Sequence, residues 1–387
     1  MHPMRIIEYE SFDELENSET EWNLLAAKSL DSNPFLTYEW LHTWWQHFGK
    51  GRELRIFVTK GENGEVSLIV PTMYSKRKVL TFKVQKLEFV STPDSDYNVF
   101  LVMNFDNASK AVKPLITNIE QTFADADCVE LEEVPEESYT ARLLSSIESI
   151  CWKFSSKVIN SCPYLLLPTS YETFLRNLGS NMRRNLKRWE KQANKDYEID
   201  FVEYSRIGTV REAMEVFFRL HQKRWQSKNE LGVFATSAYR DFHLDLAEAF
   251  CKKGWLTLFF LTFNGEPVSA VYGYRYREKI YGYLSGFDPE YSTYRPGYLV
   301  FGRLIKHGIE NSLKEFDFMR GMEKYKAAWT TSIRKNLELR GLKKTAKTAL
   351  YDYVMNDVVI SYLRWRIGKL SSNKLWNSIK NCSGKKL

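Results

Sequence analysis

Hydrophobic and polar residues alternate along the first half of the chain in a pattern that is typical of paired strands. Residues 53–60 and 66–74 are predicted to form two strands, joined by a turn at Asn63 and Gly64. An Asn-Gly pair between alternating stretches favours a tight hairpin, because both residues tolerate the positive φ angles of such turns. Before the hairpin, residues 39–48 predict a helix that is rich in tryptophan.

The same order of elements recurs about two hundred residues later. Residues 255–263 and 267–276 predict a second hairpin around Asn264 and Gly265, and residues 279–287 predict a third strand. Hairpin, strand and helix in both halves indicate duplicated α/β domains, each a mixed sheet flanked by helices.

The predicted boundary between the halves lies within residues 155–168, where residues 164–167 begin the second half as a strand. We therefore expect an N-terminal domain over residues 1–160 and a second domain over residues 161–345. Residues 346–387 would form a basic, helical tail.

Helical periodicity is clearest ahead of the second hairpin. One apolar helix face is formed by Val210, Met214, Phe217, Phe218, His221 and Trp225. A histidine on such a face is more typical of a packed core residue than of a general base. Residues 171–195 predict a basic helical region that Gly179 interrupts or caps, residues 335–342 predict the last strand, and residues 351–370 predict a final helix.

The segment after the third strand of the second half predicts an anion-binding helix, which opens at Arg295, Pro296 and Gly297. Proline suits the first turn of a helix, and glycine lets a ligand approach the backbone. The unpaired N–H groups and the positive end of the helix dipole attract phosphate, and Arg295 adds a full positive charge. Tyr298 follows in the first turn, and a strand over residues 315–319 then leads into a polar cluster.

Charge is distributed unevenly along the chain, whose formal net charge is +7. Residues 176–195 carry seven basic side chains and one acidic side chain, Glu190. Residues 342–387 carry ten basic and two acidic side chains. These two patches would meet phosphates, RNA or an anionic membrane surface, or they would be solvated helix faces.

Composition is that of a globular protein, with 44% hydrophobic residues among 387 and no apolar run as long as a membrane-spanning helix. The first residues lack the pattern of a signal peptide. The five cysteines include no Cys-x-x-Cys pair, which is typical of reduced thiols, and no histidines cluster with carboxylates at metal-ligand spacing. We therefore expect a cytoplasmic protein without a metal, held at the inner membrane surface if its basic tail docks there.

Several short motifs of the second half together resemble one family. They are the segments His221 to Trp225, Leu284 to Pro289, Pro296-Gly297, and Phe316 to Trp329. In order and spacing they are similar to the CelD-like acetyltransferases of the GNAT superfamily, which resemble the FemAB-like peptidyltransferases in having two GNAT domains in one chain. The resemblance covers about residues 33–342. It departs from the family at Arg295, where a small polar residue would be expected before the proline.

The resemblance implies a tandem GNAT-like fold and the transfer of an acyl group from coenzyme A to an amine or hydroxyl. It implies that the strands at residues 279–287 and 315–319 splay apart, so that free backbone N–H groups bind the thioester carbonyl. Acetyl-CoA or another acyl-CoA would be the co-substrate, with its pyrophosphate bound at Arg295, Gly297 and Tyr298. A Walker sequence and a Gly-x-Gly-x-x-Gly motif are both absent, which argues against nucleotide hydrolysis and a dinucleotide fold.

Acyl transfer also needs groups that move protons and position the acceptor. Asp317 alternates with two phenylalanines and would face the cleft as a catalytic carboxylate, or it would be a structural partner of Arg320. Glu323 would orient or deprotonate the acceptor and Tyr325 would protonate the thiolate; surface positions are the alternative for both. The residues expected to bind the substrate are Arg183, Arg184, Arg224, Trp225, Arg320 and Lys326.

Three functions remain open at this point. The favoured one is an acyl-CoA-dependent N- or O-acyltransferase that acts on a cell-envelope sugar, a polysaccharide precursor or a similar small acceptor. The second is a FemAB-like peptidyltransferase that uses aminoacyl-tRNA, which the basic patch at residues 183–188 suits. Because the sequence lacks the long charged heptad segment of a coiled-coil arm, nucleic acid is not the expected partner. The third is a non-catalytic scaffold that docks on a membrane through the basic tail.

Overall fold

The computed structural model describes residues 5–14, 19–61, 63–79, 82–147 and 149–355. The chain forms two compact units, of which the second comprises residues 160–334. The first comprises residues up to 159 together with the segment from residue 335. Residues 335–345, which the sequence placed in the second domain, lie with the first unit because their strand pairs with a strand of that unit.

Within the described residues, the strands in chain order are β1 (Arg5–Tyr9), β2 (Arg52–Lys60), β3 (Val66–Val79), β4 (Phe82–Phe89), β5 (Leu101–Val102), β6 (Cys128–Pro135), β7 (Lys153–Leu166), β8 (Ile199–Glu203), β9 (Leu256–Phe263), β10 (Glu266–Tyr276), β11 (Lys279–Phe287), β12 (Glu315–Asp317) and β13 (Ile333–Leu342). The helices are α1 (Glu19–Lys28), α2 (Tyr38–Phe48), α3 (Phe105–Thr122), α4 (Tyr139–Ser145), α5 (Tyr171–Asn177), α6 (Ser180–Asp196), α7 (Val210–Gln226), α8 (Ser237–Lys252), α9 (Pro296–Glu310) and α10 (Ala346–Met355). The predicted helix over residues 351–370 begins earlier than expected, and its part beyond Met355 lies outside the described residues.

The first unit is a mixed sheet in the order β1-β2-β3-β4-β6-β13, with β5 beside β3. The predicted hairpin is confirmed, because β2 and β3 pair antiparallel on either side of Asn63 and Gly64. Helix α3 carries the chain from β4 to β6, and these two strands are parallel. The apolar face of α3, which includes Leu115 and Ile119, is buried in the core of this unit.

The second unit repeats this plan, with the order β7-β12-β11-β10-β9-β8. Strands β9, β10 and β11 form an antiparallel meander, and α9 then carries the chain to β12, which is parallel to β11. In the first unit β2, β3, β4, α3 and β6 follow in the same order. The parallel pair consists of three residue pairs in each unit, Lys86–Glu88 with Cys128–Glu130 and Lys279–Tyr281 with Glu315–Asp317. The predicted duplication of a mixed α/β plan is therefore confirmed.

Helices α5 and α6 are separate, as predicted from the interruption at Gly179. Helix α7 begins with a capping box, in which Thr209 and Glu212 exchange side-chain to backbone hydrogen bonds. Its predicted apolar face is buried at Met214, Phe217, Phe218 and His221, the last only 1% exposed, while Val210 and Trp225 at the ends are half-buried. Helices α5, α6 and α9 contribute to one core cluster of this unit, whereas α7 and α8 pack against each other and against the strands β9, β10 and β11. No helix among the described residues is long and apolar enough to cross a membrane.

A buried network of charges lies on the parallel strand pair of the first unit. Lys86 Nζ lies 2.5 Å from a carboxylate oxygen of Glu88 and 2.7 Å from one of Glu130. Arg340 lies 2.8 Å from the other oxygen of Glu130. Next along β6, burial and the negative charge of Glu130 raise the pKa of Glu132 from its ordinary value of 4.5 to about 8. The Glu132 carboxyl group beside this network therefore stays mostly protonated at neutral pH.

The raised pKa of Glu132 predicts how the stability of the protein changes with pH. Between pH 4.5 and about 8 the unfolded carboxyl group loses its proton while the folded one keeps it, so the free energy of unfolding should fall as pH rises. Glu132→Gln, which mimics the protonated group, is expected to make this fall shallower and to be relatively more stable at pH 8 than at pH 5. Urea denaturation at both values measures it, with Glu137→Gln as an exposed control. Equal pH dependence in the wild type and in Glu132→Gln would contradict the account.

Candidate active site

Strand β11 has an open edge along its second half. It pairs with β12 only from Lys279 to Tyr281, although it continues to Phe287 while pairing with β10 on its other side. Backbone groups of alternate residues point to the same edge of a strand, and Asp288 donates its N–H group to Val268 of β10, so Ser285 and Phe287 direct their N–H and C=O groups toward the side that β12 leaves. The predicted splaying of the two strands is thus present in the second unit.

The chain after β12 turns away from β11 instead of continuing along it. Asp317 accepts a hydrogen bond from the backbone N–H of Met319 (2.8 Å), whose φ angle is 61°. Phe318 and Gly321 then donate their backbone N–H groups to carbonyls near the start of the second unit, at Pro163 and Ser161. The strand is therefore shorter than the predicted range of residues 315–319, and this early turn is what opens the edge of β11.

Helix α7 packs closely on β11 and brings Arg224 to the open edge. A Cβ atom at Gly286 would lie 2.4 Å from the backbone nitrogen of His221, so only glycine allows this approach. One turn further along α7, Arg224 Nη1 donates to the carbonyl oxygen of Ser285 (3.0 Å) and to its hydroxyl (2.8 Å). Arg224 thus adds a positive charge beside the free backbone groups.

Tyr325 joins Arg224 and Ser285 at this edge. The Arg224 guanidinium lies 5.9 Å from the centre of the Tyr325 ring and 5.8 Å from that of Phe287. Burial raises the pKa of Tyr325, while a side-chain hydrogen bond with Ser285 and the charge of Arg224 act in the opposite direction. The phenol therefore stays protonated at neutral pH, as a proton donor must.

The open edge leads through a 3₁₀ turn, Pro289–Tyr294, to the start of α9. Arg295 is exposed and adopts a left-handed conformation (φ 56°), and among the described residues no side chain caps the helix that follows. A Cβ atom at Gly297 would meet only Phe287, at 3.7 Å, so this side of the helix leaves room for a ligand. Tyr298 is half-buried in the first turn. The three residues predicted to bind the cofactor are neighbours at an uncapped helix start.

Asp317 occupies a different environment from the predicted cleft. It is fully buried, and its carboxylate lies 2.8 Å from Arg334 Nη1. Arg334 also lies 3.3 Å from Glu315, and its guanidinium stacks on the ring of Tyr164 at 4.5 Å. These contacts favour the structural alternative for Asp317, with Arg334 as an ion-pair partner that the sequence did not indicate. Its catalytic role stays a prediction.

The polar cluster after β12 is held together by Lys326. This side chain is 3% exposed and donates to the carbonyl oxygens of Met319 (3.1 Å) and Arg320 (2.9 Å). It also lies 2.9 Å from the carboxylate of Glu323, whose side chain is 54% exposed. Lys326 therefore fixes the loop that carries Tyr325, whereas Glu323 is accessible to an acceptor.

Of the remaining predicted substrate-binding residues, Arg320 is half-buried in the loop after β12, and the other three lie on α6 and α7. Arg183 donates to the carbonyl oxygens of Leu175 and Arg176 (3.2 Å each), so it caps the end of α5. Arg184 is exposed and donates to Asn181 (2.5 Å). Trp225 donates to the buried His221 (2.9 Å). Of this set, Arg184 is the most accessible to a ligand.

Ser285 is a functional candidate that the sequence patterns did not indicate. It belongs to the motif of residues 284–289, but a single serine on a strand forms no recognisable pattern with other catalytic or binding residues. Its significance follows from the early turn after β12 and from the contact with Arg224, and both are tertiary features. Among the described residues, no group of His, Cys, Asp or Glu is arranged to hold a metal ion.

Residues 180–327 match the family of acetyltransferase (GNAT) domains. This match includes the open edge of β11, Arg224, Tyr325 and the start of α9, and it confirms the resemblance that the motifs carried. No curated protein matches the chain.

Two solved structures share the fold at low sequence identity. The crystal structure of FemX has a TM-score of 0.60 at 11% identity and covers 86% of this chain and 96% of its own. A conserved protein of unknown function from Bacteroides thetaiotaomicron has a TM-score of 0.51 at 13% identity and covers 89% of this chain and 100% of its own. This likeness concerns the fold alone, and it confirms the predicted fold class, a mixed α/β sheet flanked by helices.

The environment of Asp317 predicts a stability effect that its exposed neighbour lacks. Asp317→Asn breaks a buried ion pair, which typically costs about 3–5 kcal/mol of unfolding free energy. Glu323→Gln, at an exposed position in the same segment, is expected to leave the melting temperature nearly unchanged. Thermal denaturation of both variants measures the difference. If Asp317→Asn melts at the same temperature as Glu323→Gln but is inactive, Asp317 has a catalytic role instead.

Proposed function

We propose that the protein transfers an acyl group from coenzyme A to a nitrogen or oxygen atom of a cell-envelope sugar, a polysaccharide precursor or a similar small acceptor, since residues 180–327 match the family of acetyltransferase (GNAT) domains. The observation that supports this most is the open edge of β11, which leads through the turn at Pro289–Tyr294 to the uncapped start of α9. A strand edge and a helix start in series suit a ligand with an amide-bearing arm and a pyrophosphate.

The residues present fit acyl-CoA as the co-substrate. The amide groups of its pantetheine arm pair with the N–H group of Ser285 and with the backbone of Phe287, as an added strand would, while the Ser285 carbonyl is bound by Arg224. The pyrophosphate binds the first N–H groups of α9 near Gly297, where the helix dipole and Arg295 favour negative charge. Acetyl-CoA is the simplest of these co-substrates, and no metal takes part in the proposal.

The reaction exchanges a C–S bond for a C–N or C–O bond. The acceptor atom attacks the thioester carbonyl carbon and loses a proton, and the sulfur leaves with the electron pair of the broken bond. Arg224 and the N–H groups of β11 stabilise the negative charge that develops on the carbonyl oxygen. Tyr325 gives a proton to the departing sulfur, and Glu323, exposed beside the same loop, orients the acceptor or takes up its proton.

The charge of α6 supports an acceptor that carries phosphate or another acidic group. Arg184, Lys187 and Arg188 are exposed on two adjacent turns of this helix, whereas Glu190 is paired with Arg303. Three exposed cations on one helix face favour a diphosphate-linked or acidic substrate. Contact of the basic tail with an anionic membrane remains part of the proposal, although most of that tail lies outside the described residues.

The same basic face is the observation that favours a second candidate, a peptidyltransferase that takes its amino acid from aminoacyl-tRNA. A gel-shift titration against salt separates the two. Weak RNA binding that fades steeply as the salt concentration rises is expected. A few surface cations would displace the counterions of the RNA phosphates, and added salt opposes that release. Tight, salt-tolerant binding of aminoacyl-tRNA that is lost in the double variant Arg184→Glu, Arg188→Glu would favour the second candidate.

The placement of coenzyme A predicts that Arg295 and Gly297 affect its binding. Arg295→Ala is expected to weaken the affinity about tenfold, the scale of one charge-assisted hydrogen bond. Gly297→Val should weaken it as well, because it adds a side chain at the helix start, where a Cβ atom would meet only Phe287 in the free protein, at 3.7 Å. Arg277→Ala is the matched control, since Arg277 is also exposed and left-handed (φ 53°) but lies in the turn before β11. Calorimetry that shows equal affinities in all variants would refute the placement.

The assignment of Tyr325 as the proton donor predicts a selective loss of turnover. Tyr325→Phe removes the hydroxyl but keeps the ring packed against Phe301 at 5.4 Å. Turnover is expected to fall by about 10²-fold, at the lower end for a positioned acid. Thioester affinity and melting temperature should change little. Steady-state kinetics and calorimetry on the same preparation measure both, and unchanged turnover would remove Tyr325 from the mechanism.

A further inference from the structure

The turn at Pro289–Tyr294 forms most of the connection between β11 and α9, so its conformation decides where the helix start lies relative to the strand edge. Glu290, Ser292 and Thr293 are exposed, so the core does not hold that side of the turn. A segment with exposed backbone and few buried side chains opens at a low cost in free energy. The position of the helix start therefore depends on contacts made from outside the turn.

Asp288, which directly precedes the turn, ties it to the sheet. Its N–H group donates to the carbonyl oxygen of Val268 in β10 (2.8 Å). Its Oδ1 atom accepts a hydrogen bond from the N–H group of Glu290 (3.2 Å), and its carbonyl oxygen accepts one from Tyr291 (3.1 Å). The side chain of Asp288 is only 10% exposed. The first residues of the turn are thus held by a nearly buried carboxylate.

Helix α7 binds the other oxygen of this carboxylate through Lys223, whose Nζ lies 2.5 Å from Oδ2 of Asp288. The hydrogen bond with Asp288 raises the pKa of Lys223, so the lysine stays charged at neutral pH. The next residue of the helix is Arg224, which binds Ser285 on β11. Two neighbouring side chains of α7 therefore hold the two ends of residues 285–288.

The far end of the turn is held differently, by α6 and by ring packing. Tyr294 donates its hydroxyl to Asp196, the last residue of α6 (2.9 Å). Its ring centre lies 5.3 Å from that of Tyr197 and 5.8 Å from that of Phe263, distances at which aromatic rings attract each other. The beginning of the turn lacks such packing on its exposed side and depends on Asp288 and its partners.

We propose that Lys223 is a positioning residue, whose ion pair with Asp288 fixes the turn before α9 and so sets the position of the helix start relative to the edge of β11. Lys223 and Asp288 act through the turn and not through contact with the ligand. The inference rests on the proposed function, in which coenzyme A spans both places. Without the ion pair the turn occupies several conformations, and the apparent dissociation constant rises as the fraction that fits the whole ligand falls.

Calorimetry with coenzyme A tests the inference on Lys223→Gln, Lys223→Arg and Lys306→Gln. Lys306 is the matched control, because it is also a partly exposed lysine in an ion pair, with Glu310 at 3.6 Å, but lies further along α9. Lys223→Gln is expected to weaken the affinity about fivefold, the upper end for an exposed ion pair. Lys223→Arg keeps the charge and should bind as the wild type does, and so should Lys306→Gln.

Two further measurements separate positioning from a general loss of stability. In steady-state kinetics, Lys223→Gln should raise KM for the acyl-CoA about fivefold and leave kcat unchanged, because the groups that act in the chemical step are intact. In the free protein, the amides of Glu290 and Tyr291 should exchange faster in Lys223→Gln, while the melting temperature stays close to that of the wild type.

The inference is overturned if Lys223→Gln binds coenzyme A as tightly as the wild type, or if Lys223→Arg loses as much affinity as Lys223→Gln. Unchanged exchange at Glu290 and Tyr291 would also overturn it, since the turn would then be fixed without the ion pair. A wild-type protein that does not bind coenzyme A would give a different result, because it would refute the proposed function and the inference with it.

Discussion

The brevity of the parallel pairing between β11 and β12 is the constraint on which the site depends. Three residue pairs join the strands before the chain turns at Met319, whereas β11 continues for six more residues. That difference leaves backbone hydrogen-bonding groups unused at one edge, and an unused edge needs a partner. Arg224 donates a hydrogen bond to the carbonyl oxygen of Ser285, and in the proposed function a ligand binds the remaining backbone groups of this edge.

Buried charges support the strand pair in both units. In the second unit Asp317 pairs with Arg334, and in the first unit Glu130, at the corresponding position of the parallel pair, is bound by Lys86 and Arg340. Each carboxylate is buried beside an arginine, so the arrangement repeats with the duplicated plan. This recurrence favours a structural role for Asp317, since a buried ion pair that stabilises the parallel strands would be expected in both units.

Local signals were sufficient for most of the architecture. Both Asn-Gly turns, the third strand at residues 279–287, the break at Gly179 and the helix that opens at Pro296 follow from short-range patterns, and the structure has them. The extent of the site did not follow from such patterns. The partner of Asp317 lies 17 residues away in sequence and Ser285 lies 61 residues from Arg224, so only tertiary packing brings them together. The alternation of Asp317 with two phenylalanines indicated that it faces away from the apolar core. It did not show whether that face is an open cleft or is filled by another side chain.

Hydrogen exchange with and without coenzyme A shows whether the edge of β11 and the start of α9 hold this ligand. If they bind the thioester arm and its pyrophosphate, the backbone amides of Ser285, Phe287 and Gly297 should exchange more slowly in the complex. Amides of β8, at the other end of the same sheet, should be unaffected. Binding of coenzyme A that leaves exchange at β11 and α9 unchanged, while protecting other segments, would contradict the account.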